Sequence, residues 1–249
     1  MSIILFTEED FAEAKKLKEK ELVKPFNKTN VFRAGVYAIL TARETYKNLI
    51  KYCHYIVHKD QIGFPEKLAE INDLQKYESL RMIPSNHVQR VLKFAKWWVE
   101  YEPFKLIKEQ KKGNLEDQVY LRNILASNKK IGDQESAAGA PGMRHKISSL
   151  FLNMCGYEQI VSVDVWLMRW LNDNHLAEID ADKITRRGLD GSKYLKLEEK
   201  IQEKAKEWEI TPANLHNLIW CKNSNWNQNN GAQIELFPEE ALPSIYEQE

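Results

Sequence analysis

Lys146 stands where a lysine can serve as a nucleophile. A cluster of small residues, Ser136-Ala137-Ala138-Gly139-Ala140-Pro141-Gly142, turns the chain, and Met143-Arg144-His145-Lys146 opens the helix that follows. Unpaired backbone N–H groups and the positive end of a helix make such a turn a natural seat for phosphate, which Arg144 reinforces. The same positive potential disfavours an ammonium, so Lys146 is expected to be available as free amine, the form that attacks carbon. Eighteen residues later comes Asp164, isolated among Val161, Val163, Val165 and Trp166 at the mouth of another helix. A carboxylate placed there can exchange protons with the amine or stabilise a developing cation. The plainer alternative is a hairpin indifferent to phosphate and an aspartate that only caps its helix.

Other site chemistries find no support. There is no Walker-type phosphate loop, no HExxH zinc helix, no GxSxG elbow and no GxGxxG turn. Gly188-Leu189-Asp190-Gly191-Ser192-Lys193 has the wrong spacing for a phosphate loop, and Asp190 repels phosphate. His54 and His58 share a helical face but lack a third ligand, so no metal is expected. Cys53, Cys155 and Cys221 form no CxxC pair, which argues against a disulfide framework, a cysteine-held zinc or an iron–sulfur cluster. No cofactor is implied. The 36 Lys+Arg balance the 36 Asp+Glu, yet residues 232–249 hold five Glu and no Lys or Arg, leaving +5 on the rest. A mildly basic body with an acidic tail keeps nucleic acid open as a partner. No apolar run approaches the roughly 18 residues of a membrane span. The opening Met1–Phe6 is too short and too soon acidic for a signal peptide. A cytoplasmic protein is the expectation.

The elements that must position Lys146 and Asp164 read as helices nearly throughout, an all-α architecture. Thr7 before Glu8-Glu9-Asp10 caps a first helix. Val31–Val57 is apolar on all sides, predicting a central core helix with one break near Arg43–Thr45. Short helices follow over Pro65–Ile71 and Leu74–Arg81, then a longer one over Asn86–Tyr101 stopped by Pro103, and another over Asn114–Ala126. Met143–Cys155 and Val165–Asn172 are joined by a turn at Gly156-Tyr157. A polar loop over Asp180–Ser192 leads to Tyr194–Trp208, and Thr211-Pro212 opens a last helix through Trp220. Residues 1–222 form the folded unit, and 223–249 a polar, acidic tail.

The segment from Gly139 to Leu171 resembles the helix–hairpin–helix DNA glycosylases with the Gly/Pro-Asp loop. Within them it is most similar to the second, archaeal-type family of 8-oxoguanine DNA glycosylase/lyases. The resemblance is carried by Gly142–Lys146, Asn153-Met154-Cys155-Gly156-Tyr157, Asp164 and Arg169-Trp170-Leu171. Ile39-Leu40-Thr41-Ala42, Tyr194-Leu195-x-Leu197-Glu198-Glu199-Lys200 and Ile219-Trp220 extend it over about residues 28–222. It implies two helical subdomains with the active site in the cleft between them, and a monomer acting on double-stranded DNA with a damaged base, associated with the nucleoid. Lys146 then forms a Schiff base with the sugar, Asp164 assists, and Gly139, Gly142, Met143 and Arg144 of the hairpin, about residues 138–146, hold the DNA backbone. Trp220 matches an aromatic of the base pocket, with a core tryptophan as the competing reading. Arg43, Glu44 and Thr45 fall where residues enter the gap left by a flipped base; an exposed helix end competes. Two departures stand out. Arg144 replaces a second hairpin glycine, either crowding the phosphate seat or adding a charge to it. The family's chain commonly ends soon after the Trp helix and that end contributes to base recognition, whereas here the sequence continues past Trp220 to Glu249. The same chemistry on another damaged base is one alternative function; a non-catalytic helical DNA-binding protein is the other. The Lys146/Asp164 pair speaks against the second, because a carboxylate beside phosphates gives a mere binder nothing.

Overall fold

Local capping signals fix where the helices begin. The computed structural model describes residues 6–41, 46–111, 113–126, 139–179, 189 and 191–223. Thr7 and Asp10 make a reciprocal capping box for α1 (Glu8–Glu21). Asn27 caps α2 (Lys28–Leu40), which is buried on every side from Asn30 to Leu40, as its largely apolar run, interrupted by Arg33, predicts. The run resumes as α3 (Tyr46–His54) and ends in a π-helical turn over Tyr55–Lys59. Residues 42–45, where the break was expected, lie outside the described residues.

Two short helices, α4 (Pro65–Ala69) and α5 (Glu78–Met82), precede α6 (Ser85–Tyr101). Glu102 adopts a left-handed conformation (φ 44°) that ends α6 ahead of Pro103. Here the structure departs from the sequence expectation: Pro103 also starts a further helix, α7 (Phe104–Gln110), whose Ile107 is buried. A proline fixes a helical φ at the first turn, where no N–H is needed, so the residue that stops one helix serves to begin the next. Asn114 and Asp117 cap each other's backbone at 3.0 Å to open α8 (Leu115–Ala126). Then come α9 (His145–Met154), α10 (Val165–Asp173), α11 (Gly191–Glu207) and α12 (Pro212–Asn223). All regular structure among the described residues is helical, and none of these helices is long and apolar enough to cross a membrane.

The apolar side chains collect in two main clusters. The larger joins α2, α3, α6, α8 and α9 around Phe32, Phe94, Trp98 and Phe151. The smaller joins α10, α11 and α12 around Leu167, Trp170, Ile201, Leu215 and Ile219, and α1 docks on α12 through Leu17 and Leu218. Lys146 therefore belongs to a helix of the first cluster and Asp164 to the start of the second.

A buried ion pair ties the two clusters together. Arg122 Nη1 on α8 reaches both oxygens of Glu198 on α11, at 3.0 and 2.8 Å, with the side chains 0% and 3% exposed. Burial raises the pKa of Glu198 and the Arg122 charge pulls it back, so removing the arginine alone strands an acid in the interior. Arg122→Met is expected to cost about 3–5 kcal/mol in chemical unfolding. In Arg122→Met/Glu198→Gln the amide still accepts from Val161 N–H, and more than half of that loss returns. A double variant as unstable as the single one would contradict this.

Candidate active site

The hairpin is built by one tight turn. Met143 N–H donates to Ala140 C=O at 3.0 Å, with Pro141 and Gly142 between them and Gly142 at φ +84°. Pro at the second position and a left-handed Gly at the third define a type II β-turn. Ala140 N–H donates to Leu125 C=O at 3.0 Å, which hangs the turn on the end of α8. Met143 is buried, its methyl packed near Gly35, and its N–H is consumed by the turn, so it anchors the hairpin from beneath. Gly139 is buried as well. A Cβ at Gly142 would stand 3.2 Å from Arg90 Cβ of α6, so an exposed arginine lies alongside the turn. Gly142→Ala forces a side chain into both the left-handed region and that contact. It is expected to lower stability by about 1–2 kcal/mol, read from thermal or chemical unfolding.

Arg144 is the residue before α9, in extended backbone (φ −92°, ψ 176°) with no side-chain cap. That conformation suits any residue, which explains how an arginine occupies the position where a glycine was expected. Its side chain is exposed, a charge at the surface of the hairpin. Lys146 follows in the first turn of α9, half-buried, where N–H groups have no partner within the helix. Beside it, His145 lies 5.3 Å from the Tyr194 ring; burial, with the Arg122 charge, holds its pKa below the ordinary value.

The eighteen-residue interval has a geometric meaning. From Lys146 to Met154, α9 climbs about 12 Å. At its end Gly156 (φ +88°) lets Tyr157 N–H bond Leu152 C=O at 3.0 Å, closing a Schellman turn. The Asn153 amide donates to the carbonyls of Tyr157 and Ile160 at 2.8 and 2.9 Å, and the Tyr157 hydroxyl donates to Ile107 C=O. The chain then runs back beside α9, held to it by Ser162. Val161 N–H donates to Glu198 at 3.1 Å, the Tyr194 hydroxyl donates to Val161 C=O at 2.6 Å, and Val163 N–H donates to that hydroxyl at 3.2 Å. Ser162 Oγ donates to Lys146 C=O at 3.2 Å, which fastens the returning chain to the turn that bears the lysine. Asp164 thereby arrives back at the first turn of α9.

Asp164 is buried and caps α10, its Oδ1 accepting from Leu167 N–H at 3.0 Å. The cap expected as the plain alternative is thus present, together with a charge environment that a cap does not need. Burial pushes its pKa up, but His216, the Lys146 charge and the Leu167 bond outweigh it, and the carboxyl is held below its ordinary value. At neutral pH the buried Asp164 carboxylate therefore lies within electrostatic reach of Lys146, which is half-buried in the first turn of α9.

Trp220 is half-buried on α12 against the cluster of Ala14, Leu17, Leu218 and Cys221. Arg43, Glu44 and Thr45 lie outside the described residues, as do residues 224–249 of the tail. The His54 and His58 rings lie 4.9 Å apart between centroids, tilted by 34°, and among the described residues no three His, Cys, Asp or Glu side chains gather in a way that would hold a metal ion. Sequence reasoning passed over Arg90, Ser162, Tyr194 and His216. Only Tyr194 carried a signal, as part of a motif; the others reach the site by packing between distant segments.

No family model and no curated protein matches the sequence. Among solved structures, the chain is similar to the 8-oxoguanine DNA glycosylase of Thermotoga maritima, at 20% identity over 87% of this chain and 88% of that one, with a TM-score of 0.56. It is similar also to the 8-oxoguanine DNA glycosylase of Methanocaldococcus jannaschii, at 19% identity over 88% and 93% of the two chains, with a TM-score of 0.59. The same organism's 8-oxoguanine glycosylase/lyase in complex with a 15-mer DNA containing 8-oxoguanine matches at 18% identity over 88% and 90%, with a TM-score of 0.60. The chain has the helical fold of these glycosylases.

Proposed function

We propose that this protein is a base-excision DNA glycosylase with lyase activity that removes 8-oxoguanine through a Schiff base on Lys146. The observation that carries the proposal is the return of the chain to the first turn of α9, where Ser162 Oγ bonds the Lys146 carbonyl, so that the buried Asp164 carboxylate comes within electrostatic reach of Lys146. The likeness to glycosylases, one of them bound to lesion-containing DNA, supports the substrate class.

The geometry suits the following sequence of steps. The damaged nucleotide leaves the duplex, at a cost of a few kcal/mol in lost stacking. The α9 N-terminus, with Arg144 and the turn around Gly142, holds a backbone phosphate, which positions the strand without reading its sequence. The free amine of Lys146 attacks C1′; the glycosidic bond breaks, and the base leaves with the electron pair and takes up a proton. Asp164 stabilises the cationic sugar as that bond lengthens. The C1′–O4′ bond then opens, O4′ gains a proton, and Lys146 is joined to C1′ as a protonated imine. Loss of a proton from C2′ expels the 3′ phosphate by cleavage of C3′–O3′, nicking the strand, and water then releases Lys146.

Borohydride reduction of the imine during turnover tests this. A covalent adduct is expected on a duplex with 8-oxoguanine opposite cytosine and on an abasic duplex, with none on undamaged DNA. An adduct on the abasic duplex and on another damaged base, but not on 8-oxoguanine, replaces the substrate and keeps the chemistry. No adduct on any duplex contradicts the proposal and favours a non-catalytic DNA-binding protein.

A further inference from the structure

His216 lies on α12, 52 residues beyond Asp164 in sequence, yet α12 packs against both α10 and α1. The two side chains are each 9% exposed, with Nε2 of the imidazole 3.6 Å from Oδ2 of the carboxylate. Asp164 Oδ1 is committed to the α10 cap, so Oδ2 is the oxygen that faces the ring. His216 Nε2 is sealed from solvent without any closer partner, and Nδ1 stands 3.3 Å from Asn217 Oδ1. Both ring nitrogens thus face acceptor oxygens. An imidazolium donates to both oxygens, whereas a neutral ring has a single N–H to offer.

The surroundings agree in sign. From α1, the Glu21 carboxyl lies close enough to feel a charge on His216, and its Oε1 accepts from the Tyr37 hydroxyl of α2 at 2.9 Å. Burial raises the Glu21 pKa, with Tyr37 and His216 acting against it. Lys18, also on α1, is paired with Glu158 and bonded to Asn214 of α12. Beyond Asp164 the next charge is Lys146 of α9.

We infer that His216, as an imidazolium, is the positioning residue of Asp164: it fixes the carboxylate and supplies the positive charge that keeps it ionised once Lys146 has lost its proton. The inference rests on the reading of Lys146 as the Schiff-base nucleophile. A lysine that attacks as free amine no longer neutralises its carboxylate neighbour, and a lone buried carboxylate would take up a proton. With His216 charged, the proton lost by Lys146 goes to solvent, Asp164 stays a carboxylate, and His216 keeps its own proton.

The test is the pH dependence of single-turnover trapping on abasic and 8-oxoguanine duplexes with wild type, His216→Gln and His216→Leu. Glutamine keeps a donor near the position of Nε2 without its charge. Losing a buried positive charge raises the proton affinity of every neighbour. Both profiles are therefore expected to move to the alkaline side by about one pH unit, giving about a tenfold deficit at the acid end that closes as pH rises. The glutamine variant regains thermal stability over the leucine variant but not the profile. A glutamine profile that superimposes on wild type overturns the inference. Nitrogen-15 NMR of the imidazole in the DNA-free protein decides the charge independently of any chemistry: imidazolium near neutral pH, lost in Asp164→Asn, is expected, and a neutral ring overturns it. If wild type forms no adduct on either duplex, the reading of Lys146 fails and with it the catalytic role of His216. The NMR result then still separates that failure from an error about the buried pair.

Discussion

Lys146→Gln is expected to lose covalent trapping and strand nicking entirely and to lower base release at least about a thousandfold, because no other amine replaces the nucleophile. Glutamine keeps most of the length of the side chain, and the residue is only half-buried, so the fold is expected to hold within about 1 kcal/mol. Affinity for the lesion duplex is expected to change by no more than about threefold, since the hairpin and Arg144 supply the backbone contact. Single-turnover base release, measured beside equilibrium binding at one fixed salt concentration, separates the two effects. A variant that binds normally and still releases base at the wild-type rate would show that water, not Lys146, attacks the sugar.

The second large effect lies at Asp164, where catalysis and stability are joined in one side chain. Asn is as good a helix cap as Asp, so Asp164→Asn keeps α10 closed and removes only the charge. Base release, which passes through a cationic sugar, is expected to fall about 100- to 1,000-fold. Imine formation on a pre-formed abasic site starts from an aldehyde, needs no such cation, and is expected to stay within about tenfold of wild type. Asp164→Ala loses the cap too, adding about 1 kcal/mol of instability. The pH sign follows from the direction of the shift. A carboxyl whose pKa is held down by folding contributes stability above its unfolded value and loses that contribution as pH falls through the folded one. Wild type is therefore expected to lose stability relative to Asp164→Asn in that acid window and to stay level with itself above it. Equal losses of base release and abasic trapping in Asp164→Asn would instead assign the aspartate to the amine.

Local signals made much of this legible. The caps at Thr7, Asn114 and Thr211-Pro212 mark helix starts because each side chain satisfies an N–H within three residues of itself. The all-round burial of α2 follows from its largely apolar run, in which Arg33 is the exception. The return of Asp164 toward the start of α9 is set by short-range structures, a helix and a glycine turn, whose geometry Asn153 and Gly156 fix locally. What stayed hidden had no local signature. The π-helical turn over Tyr55–Lys59 differs from an α-helix only in hydrogen-bond register, which side-chain periodicity does not report. The second helical start behind Pro103 was masked by that proline's familiar role as a stop. His216 was one of six scattered histidines, and only the docking of α12 between α1 and α10 gives it Asp164 as a neighbour. Met143 read as part of the phosphate seat, but its N–H closes the turn and its side chain fills the core beneath it.

The most direct test of the central claim is to reduce the wild-type complex with an 8-oxoguanine duplex, digest it, and locate the DNA-bearing residue by mass spectrometry. A single modified peptide carrying the sugar remnant on Lys146 Nζ is expected. Attachment to another lysine or to the amino terminus would contradict it, as would base release with no modified peptide at all.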